Sequence, residues 1–276
     1  MNPNLAVQSS IADPTNLAEV LPSLSTVADP NVLIVGANRG IGLGFVRALL
    51  NIADVKTVFA TYRQADQAAD LMALQVNQGS RLVCIPMDIT DEAQIIAGFE
   101  QIQSQVQQIH LVVNCVGFLH NETIQPEKSL RHLNADQLTR YFQVNSIGAI
   151  LLAKHLVTLL KGSDRSIFAN ISAKVGSIGD NYLGGWYGYR ASKTALNMFM
   201  RTAAIEYGRK SPKTIIANLH PGTTDTRLSK PFQRNVPPGK LFPVEKSVGL
   251  LLKVIGQLKQ EDSGHFFSWD GSRLPW

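Results

Sequence analysis

Short, nearly uninterrupted apolar runs alternate along this chain with longer stretches in which apolar residues recur every three to four positions. The short runs have the pattern of strands buried on both faces, and the longer stretches that of helices with one apolar side. The pattern predicts strands over 31–35, 57–61, 81–87, 109–113, 166–171, 214–219 and 265–268. Between them it predicts helices over 43–50, 91–107, 135–160, 191–207 and 247–258. Strand and helix alternating at this rhythm imply an α/β fold, a Rossmann-type doubly wound parallel sheet in a single domain over residues 31–276. In such a sheet ligands bind at the carboxyl ends of the strands. Residues 1–30 carry Pro3, Pro14, Pro22 and Pro30 among small polar residues and read as a loosely ordered arm, in which 17–24 is apolar enough to pack on the domain. Residues 230–243, with Pro231, Pro237, Pro238, Gly239 and Pro243, read as irregular chain of the kind that forms an active-site lid, which we set near 226–243.

The first strand feeds directly into Gly36-Ala-Asn38-Arg39-Gly40-Ile41-Gly42 and then into a helix. Strand, glycine turn and helix together make the setting for a phosphate. Gly36 permits the turn, Gly40 lets backbone approach a pyrophosphate, and Gly42 lets helix pack on strand with its first amides aimed at the anion. Just beyond the second strand stands Arg63. An acidic residue there would suit a ribose 2'-hydroxyl, whereas an arginine suits a 2'-phosphate. Arg39 adds a second guanidinium, so either both are surface arginines or both converge on one phosphate, and the pair favours NADP over NAD. Asp88, followed by Ile89 at the end of the third strand, fits two roles, hydrogen bonding to an adenine amino group or capping the next helix.

Tyr189 and Lys193 lie four positions apart in a helical segment, which puts both side chains on one face. A free phenol titrates near a pKa of about 10, so it needs its anion stabilised to exchange protons at neutral pH. An ammonium one turn away would do that, although a Tyr/Lys pair on a helix surface is also common by chance. Asn145, in the middle of the long helix 135–160, diverts backbone hydrogen bonds and marks a local kink or a held water. His220, at the end of a strand, reads as a strand-end residue rather than a catalyst.

Composition changes this picture little. Of the 276 residues 45% are apolar, enough to bury a full core, and no run approaches the roughly 18 uninterrupted apolar residues of a membrane span. The opening lacks a basic region followed by an apolar one, so a cytoplasmic location is expected. The formal net charge of +5 comes from scattered Lys and Arg, which argues against nucleic acid as a partner. Cys84 and Cys115, each within an apolar run, are expected to be buried thiols in strands, neither a disulfide nor a metal site, and no metal is expected.

The order of these motifs resembles that of the short-chain dehydrogenases/reductases, over nearly the whole chain from Asn31 to Trp276. The resemblance rests on the glycine loop 36–42, Asp88, Asn114-Cys-Val-Gly117 for the usual Asn-Asn-Ala-Gly, Asn145, Tyr189 with Lys193, and Pro221-Gly222. Gly184-Gly-Trp-Tyr-Gly-Tyr-Arg-Ala-Ser-Lys193 and the closing Ser268-Trp-Asp-Gly-Ser-Arg-Leu-Pro-Trp276 are similar to the branch holding bacterial C-factor proteins and Sniffer-like carbonyl reductases. The resemblance implies hydride transfer between the nicotinamide of NADP, with NADPH preferred over NADH, and a small-molecule carbonyl or alcohol. It implies that Tyr189 exchanges the hydroxyl proton, that Lys193 lowers its pKa and holds the nicotinamide ribose, and that Asn145 positions a relay water. Asn114 and Gly117 would line the cofactor, and the turn Pro221-Gly222 with Thr224 and Thr226 would meet its carboxamide end. Homodimers or homotetramers built on the long helices are also implied.

One position departs from the pattern. The family's strand ending Asn-Ile-Ser-Ser-x-x-Gly uses its second serine to orient the substrate carbonyl, and here that place is Ala173. Ser172 precedes it and is taken as the replacement over Ser177, which requires the strand end to bend, because one residue of shift turns a side chain to the other face. The altered serine leaves a second class open, a nucleotide-binding signalling or interaction protein with little turnover. The intact Tyr189, Lys193 and Asn145 favour the enzyme.

Overall fold

The structure, a computed structural model, describes residues 17–162 and 164–276. All seven apolar runs form strands: β1 (Asn31–Val35), β2 (Thr57–Tyr62), β3 (Leu82–Pro86), β4 (Leu111–Asn114), β5 (Ser166–Ile171) and β6 (Thr214–His220), then, after two short strands β7 (Thr223–Thr224) and β8 (Leu241–Phe242), β9 (His265–Ser268). The main sheet runs β3-β2-β1-β4-β5-β6-β9 with every neighbouring pair parallel, while β7, just before the lid, pairs with β8 near its end. This is the expected Rossmann-type α/β sheet.

The helices are α1 (Leu17–Val20), α2 (Gly40–Leu50), α3 (Ala69–Gln78), α4 (Glu92–Gln103), α5 (Ala135–Phe142), α6 (Gly148–Leu160), α7 (Tyr187–Lys210) and α8 (Val244–Gln257). Strand alternation divides the core between the two faces of the sheet. Val32 and Ile34 of β1 pack with α2, α3 and α8, whereas Leu33 and Val35 pack with α4, α6 and α7. Because both faces are covered, the strands needed continuous apolar runs rather than alternation, which is why they were readable. The strand order reverses between β1 and β4, and in sheets of this kind the carboxyl ends of the strands at such a reversal are where ligands bind.

One expectation changes. The helix over 135–160 is interrupted at Gln143–Ile147 by a π-helical segment that contains Asn145. This helix is long and apolar enough to span a membrane by composition, but its residues Ala149, Leu152, Ala153, Leu156, Leu159 and Leu160 are buried against the sheet. Of the expected arm, residues 1–16 lie outside the described residues, and the apolar stretch expected to be able to pack on the domain does so through Val20, Leu21 and Leu24, with Val27 beyond it. Leu21, Leu24 and Val27, three apart around the turn Pro22–Leu24, bury their side chains beside α8. The approach is close enough that a Cβ on Gly256 would stand 2.7 Å from the Val20 carbonyl oxygen.

Candidate active site

The glycine loop leaves β1 and enters α2 with Gly36 at φ +78° and Gly40 at φ +54°, both left-handed. The loop is tied to the end of β2 by Gly36 N–H donating to Thr61 Oγ1 (3.2 Å) and Ala37 N–H to Thr61 O (2.7 Å), and Asn38 Nδ2 donates to Gln67 O (3.1 Å). Arg39 occupies the N-cap of α2, and no side chain caps the helix. The first amides of an eleven-residue helix are therefore not claimed by a side chain. A Cβ on Gly42 would overlap Gly36 O, backbone on both sides, so Gly42→Ala must displace the loop. We expect it to cost about 1–3 kcal/mol of stability and to weaken dinucleotide binding, checked by thermal melts and fluorescence titration. Ile41 is half-buried against the core on the α2 face.

Arg39 lies close enough to Arg63 and to Arg227 to feel both charges. Burial, then the guanidinium of Arg227, then that of Arg63 hold the Arg39 pKa below its ordinary value. Among the described residues none of these three arginines pairs with a carboxylate. An uncapped helix start and unpaired guanidiniums fit the phosphates of a dinucleotide. Asp88 accepts from Thr90 N (2.9 Å) and Thr90 Oγ1 (2.8 Å), and the cap of α4 is Asp91, so of its two expected roles the capping one belongs elsewhere. Ile89 is buried, and a Cβ on Gly148 would meet its Cδ1 at 2.7 Å, so its side chain is core.

Tyr189 and Lys193 lie on the buried face of α7, at 6% and 2% exposure, with Lys193 Nζ 5.9 Å from the Tyr189 ring centroid. Lys193 Nζ donates to Ile171 O (2.9 Å) at the end of β5. Burial lowers the Lys193 pKa to about 8 and pushes that of Tyr189 up. The expected lowering of the phenol by the ammonium is thus not the balance found here, since Lys193 faces a carbonyl and both groups are desolvated. Asn145 sits 1% exposed on the π segment. Its Oδ1 accepts from Phe118 N (2.7 Å), and its Nδ2 donates to Phe118 O (2.9 Å) and to Ser192 Oγ (3.0 Å). A Cβ on Gly117 would stand 3.6 Å from Lys193 Nζ and 4.0 Å from Asn145 Oδ1, so the loop after β4 joins this group. Asn114 lies deeper. It donates from Nδ2 to Asn170 Oδ1 (3.1 Å) and accepts from Val116 N (3.2 Å), holding β4 to β5 and shaping the turn.

The serine expectation fails. Ala173 is extended at φ −150°, ψ 142°, so alternation continues past β5 and neighbouring side chains point to opposite sides. Ser172 turns into the protein, 2% exposed, and donates to Asn197 Oδ1 (2.7 Å), while Ala173 packs against the cluster that includes Tyr189. Ser177 is engaged with Trp276 O (3.3 Å) and the Asp180 amide (3.1 Å). Ser172→Ala would leave Asn197 Oδ1 unpaired and should cost about 1–3 kcal/mol with turnover changed less than threefold, read by denaturant unfolding beside steady-state rates.

Beyond β6, Pro221 O accepts from Ser247 Oγ (2.9 Å), and Thr224 Oγ1 donates to that serine (3.0 Å), so Thr224 braces the turn at Gly222. Thr226 faces the glycine loop, 3.4 Å from where a Cβ on Gly40 would stand. His220 ends β6, and burial lowers its pKa to about 4. Cys84 and Cys115 are half-buried free thiols, the first in β3 and the second just past β4.

Several residues of the site went unread in the sequence. Trp186 adopts φ +53° after Gly184 and Gly185, also left-handed, and lies edge-on to Tyr189 (6.2 Å between centroids) and to Phe232 of the lid (4.8 Å). Glu127, 1% exposed, accepts from Gly188 N at its carboxylate (3.2 Å) and from Trp186 N at its carbonyl (2.5 Å), fixing the start of α7 beside Tyr189. The glycine pair was a visible signal for Trp186. Glu127, reached across 61 residues, had none.

The profile of the family described as short chain dehydrogenase matches residues 30–237. The chain belongs to that family. Among solved short-chain dehydrogenase-like structures, an NADPH-bound carbonyl reductase from chicken fatty liver superposes with a TM-score of 0.79 at 30% identity, covering 91% of this chain and 100% of that one. The carbonyl reductase Sniffer of D. melanogaster gives 0.77 at 27% identity over 90% and 99%. The C-signal protein of Myxococcus xanthus is 31% identical over 139 residues, 50% of this chain and 78% of that protein. The expected likeness to C-factor and Sniffer-type members is therefore found, alongside oxidoreductases of the same fold.

Proposed function

We propose that this protein is an NADPH-dependent carbonyl reductase acting on small or medium-sized apolar ketones or aldehydes. The observation that carries the reading is the buried Tyr189/Lys193 pair, set at the carboxyl edge of β5 beside Gly117 and Asn145 and walled by Phe118, Leu119, Tyr141, Trp186, Leu228 and Phe232. Bound NADPH supplies a hydride to the carbonyl carbon. Tyr189 Oη donates its proton to the carbonyl oxygen as that oxygen gains negative charge, yielding the alcohol. The raised Tyr189 pKa keeps the proton in place until it is needed. Lys193, held by Ile171 O, offers its remaining protons to the phenolate and to the nicotinamide ribose, and Asn145 clamps the 117–118 backbone around them. The apolar wall excludes water and favours an apolar substrate.

Arg39 and Arg63 support the choice of NADPH, since both present unpaired guanidiniums beside the glycine loop. A panel of carbonyl compounds with NADPH and with NADH tests the whole reading. Turnover with NADPH and tighter NADPH binding are expected, with Arg63→Ala losing about 10–100-fold in NADPH affinity. Cofactor binding without turnover across the panel would favour instead the signalling reading that the C-signal likeness and Ala173 allow. Tighter binding of NADH would overturn the cofactor choice.

A further inference from the structure

The lid carries a cation that the reaction above does not use. Arg227 lies between Thr226, packed toward Gly40 of the phosphate loop, and Leu228, whose Cδ1 would stand 3.9 Å from a Cβ on Gly117. Its two neighbours thus touch the two loops that flank the dinucleotide crevice. The turn that presents it is braced. Ser229 Oγ donates to Thr224 O (2.6 Å) and accepts from Thr226 N (3.2 Å), Lys230 N–H reaches Thr226 O (3.0 Å), and Asp225 N–H reaches Phe242 O (2.8 Å) of β8. On the far side the lid rests on Trp186 through Phe232, and Leu228 O meets His120 Nε2 at 3.1 Å. Arg227 is itself exposed and, among the described residues, forms no ion pair, while Asp225 beside it is engaged with Gln233 and Lys230.

We propose that Arg227 is a third phosphate-binding arginine, delivered by the lid, which joins Arg39 over the glycine loop and reads a phosphate of the bound dinucleotide. Arg39 has both other guanidiniums near it and no carboxylate paired with it, and a dianionic or pyrophosphate group beside it removes the repulsion. The repulsion is already felt at Arg39, where Arg227 contributes more than Arg63 does. Since Arg227 is on the lid and Arg39 on the loop, the anion that joins them also draws the lid onto the crevice. Phosphate recognition and lid closure become one event, and the lid holds the cofactor through one of its phosphates. The proposal rests on the reading of the site as a dinucleotide site, not on which dinucleotide is preferred.

The test compares wild type, Arg227→Gln and Arg39→Gln by fluorescence or calorimetric titration with NADPH, NADH and 2',5'-ADP, none requiring turnover. Arg227→Gln is expected to weaken NADPH about tenfold without changing the thermal midpoint of the free protein, because the side chain is exposed. A loss for NADPH and 2',5'-ADP with NADH unchanged assigns Arg227 to the 2'-phosphate. An equal loss for NADPH and NADH assigns it to the pyrophosphate. Hydrogen exchange supplies the second readout. NADPH should protect amides of 226–242 in wild type and protect them less in Arg227→Gln. Unchanged affinities for all three ligands, with the usual loss in Arg39→Gln, overturn the proposal and leave the dinucleotide site standing. Failure of wild type to bind any of the three overturns both.

Discussion

Tyr189→Phe is expected to lower kcat/KM for carbonyl reduction by a factor on the order of 10³, within the range that a positioned proton donor supplies. The substitution removes one oxygen and keeps the ring. That ring packs edge-on to Tyr141 (6.3 Å) and Trp186 (6.2 Å), so neither the fold nor NADPH affinity should move measurably. The loss then reports the proton alone. The wild-type pH profile gives an independent check. kcat/KM follows groups of the free enzyme, and burial sets Lys193 to about 8. Below that value Lys193 is charged and Tyr189 protonated, so reduction runs at full rate. As pH rises through about 8 the ammonium is lost and the rate should fall, although Tyr189, pushed up by burial, still holds its proton. Retention of more than a third of wild-type kcat/KM in Tyr189→Phe would remove Tyr189 from the chemistry.

Ala173→Ser is expected to move the rate the other way, raising kcat by up to about a hundredfold, the magnitude associated with one hydrogen-bond donor to a developing oxyanion. Ala173, two residues past the end of β5, packs into the Tyr189 cluster, and its extended backbone directs its Cβ away from the Ser172 side. A hydroxyl added there stands where a second donor to the substrate oxygen belongs. Only one atom is added, at a half-buried position, so the thermal midpoint should stay within a few degrees. Steady-state kinetics with the best ketone of the panel decides the matter. An unchanged kcat would mean that the reacting oxygen is already fully held, and that alanine is no deficiency in this protein.

The sheet was legible because parallel strands buried on both faces leave long apolar runs, and β1, β5 and β9 lie where those runs stand. Ends were less legible. The run at 109–113 becomes Leu111–Asn114, and the helix expected from 191 begins at Tyr187, since helix starts depend on partners such as Glu127 that local sequence does not reveal. The glycine loop was readable from its strand–turn–helix setting, and Tyr189, Lys193 and Asn145 from the order of motifs that the resemblance supplied; Asn145 and Lys193 both come close to the loop after β4. Which way Ser172 points was not readable, because it depends on whether the backbone past β5 stays extended or bends. Arg227 escaped for a related reason. Nothing in an irregular, proline-rich segment says which of its residues will be folded back over a loop 187 positions earlier.

The π segment at Gln143–Ile147 amounts to one residue more than an α-helix of the same span would hold. Each helical residue turns the chain by about 100°, so α5 and α6 are out of phase by that angle relative to an unbroken helix. Residues eleven apart lie within about 20° of one face of an unbroken α-helix, so the offset lets Tyr141, bonded through Oη to Leu119 O (2.7 Å), join the cluster around Tyr189 while Leu152 joins the core against the sheet. Deleting any single residue from 143–147 would restore a regular helix and swing one half against the other. Tyr141 and Leu152 would then compete for one face, so a deletion in this stretch should cost more than a length-preserving substitution at its exposed positions Gln143 or Ile147.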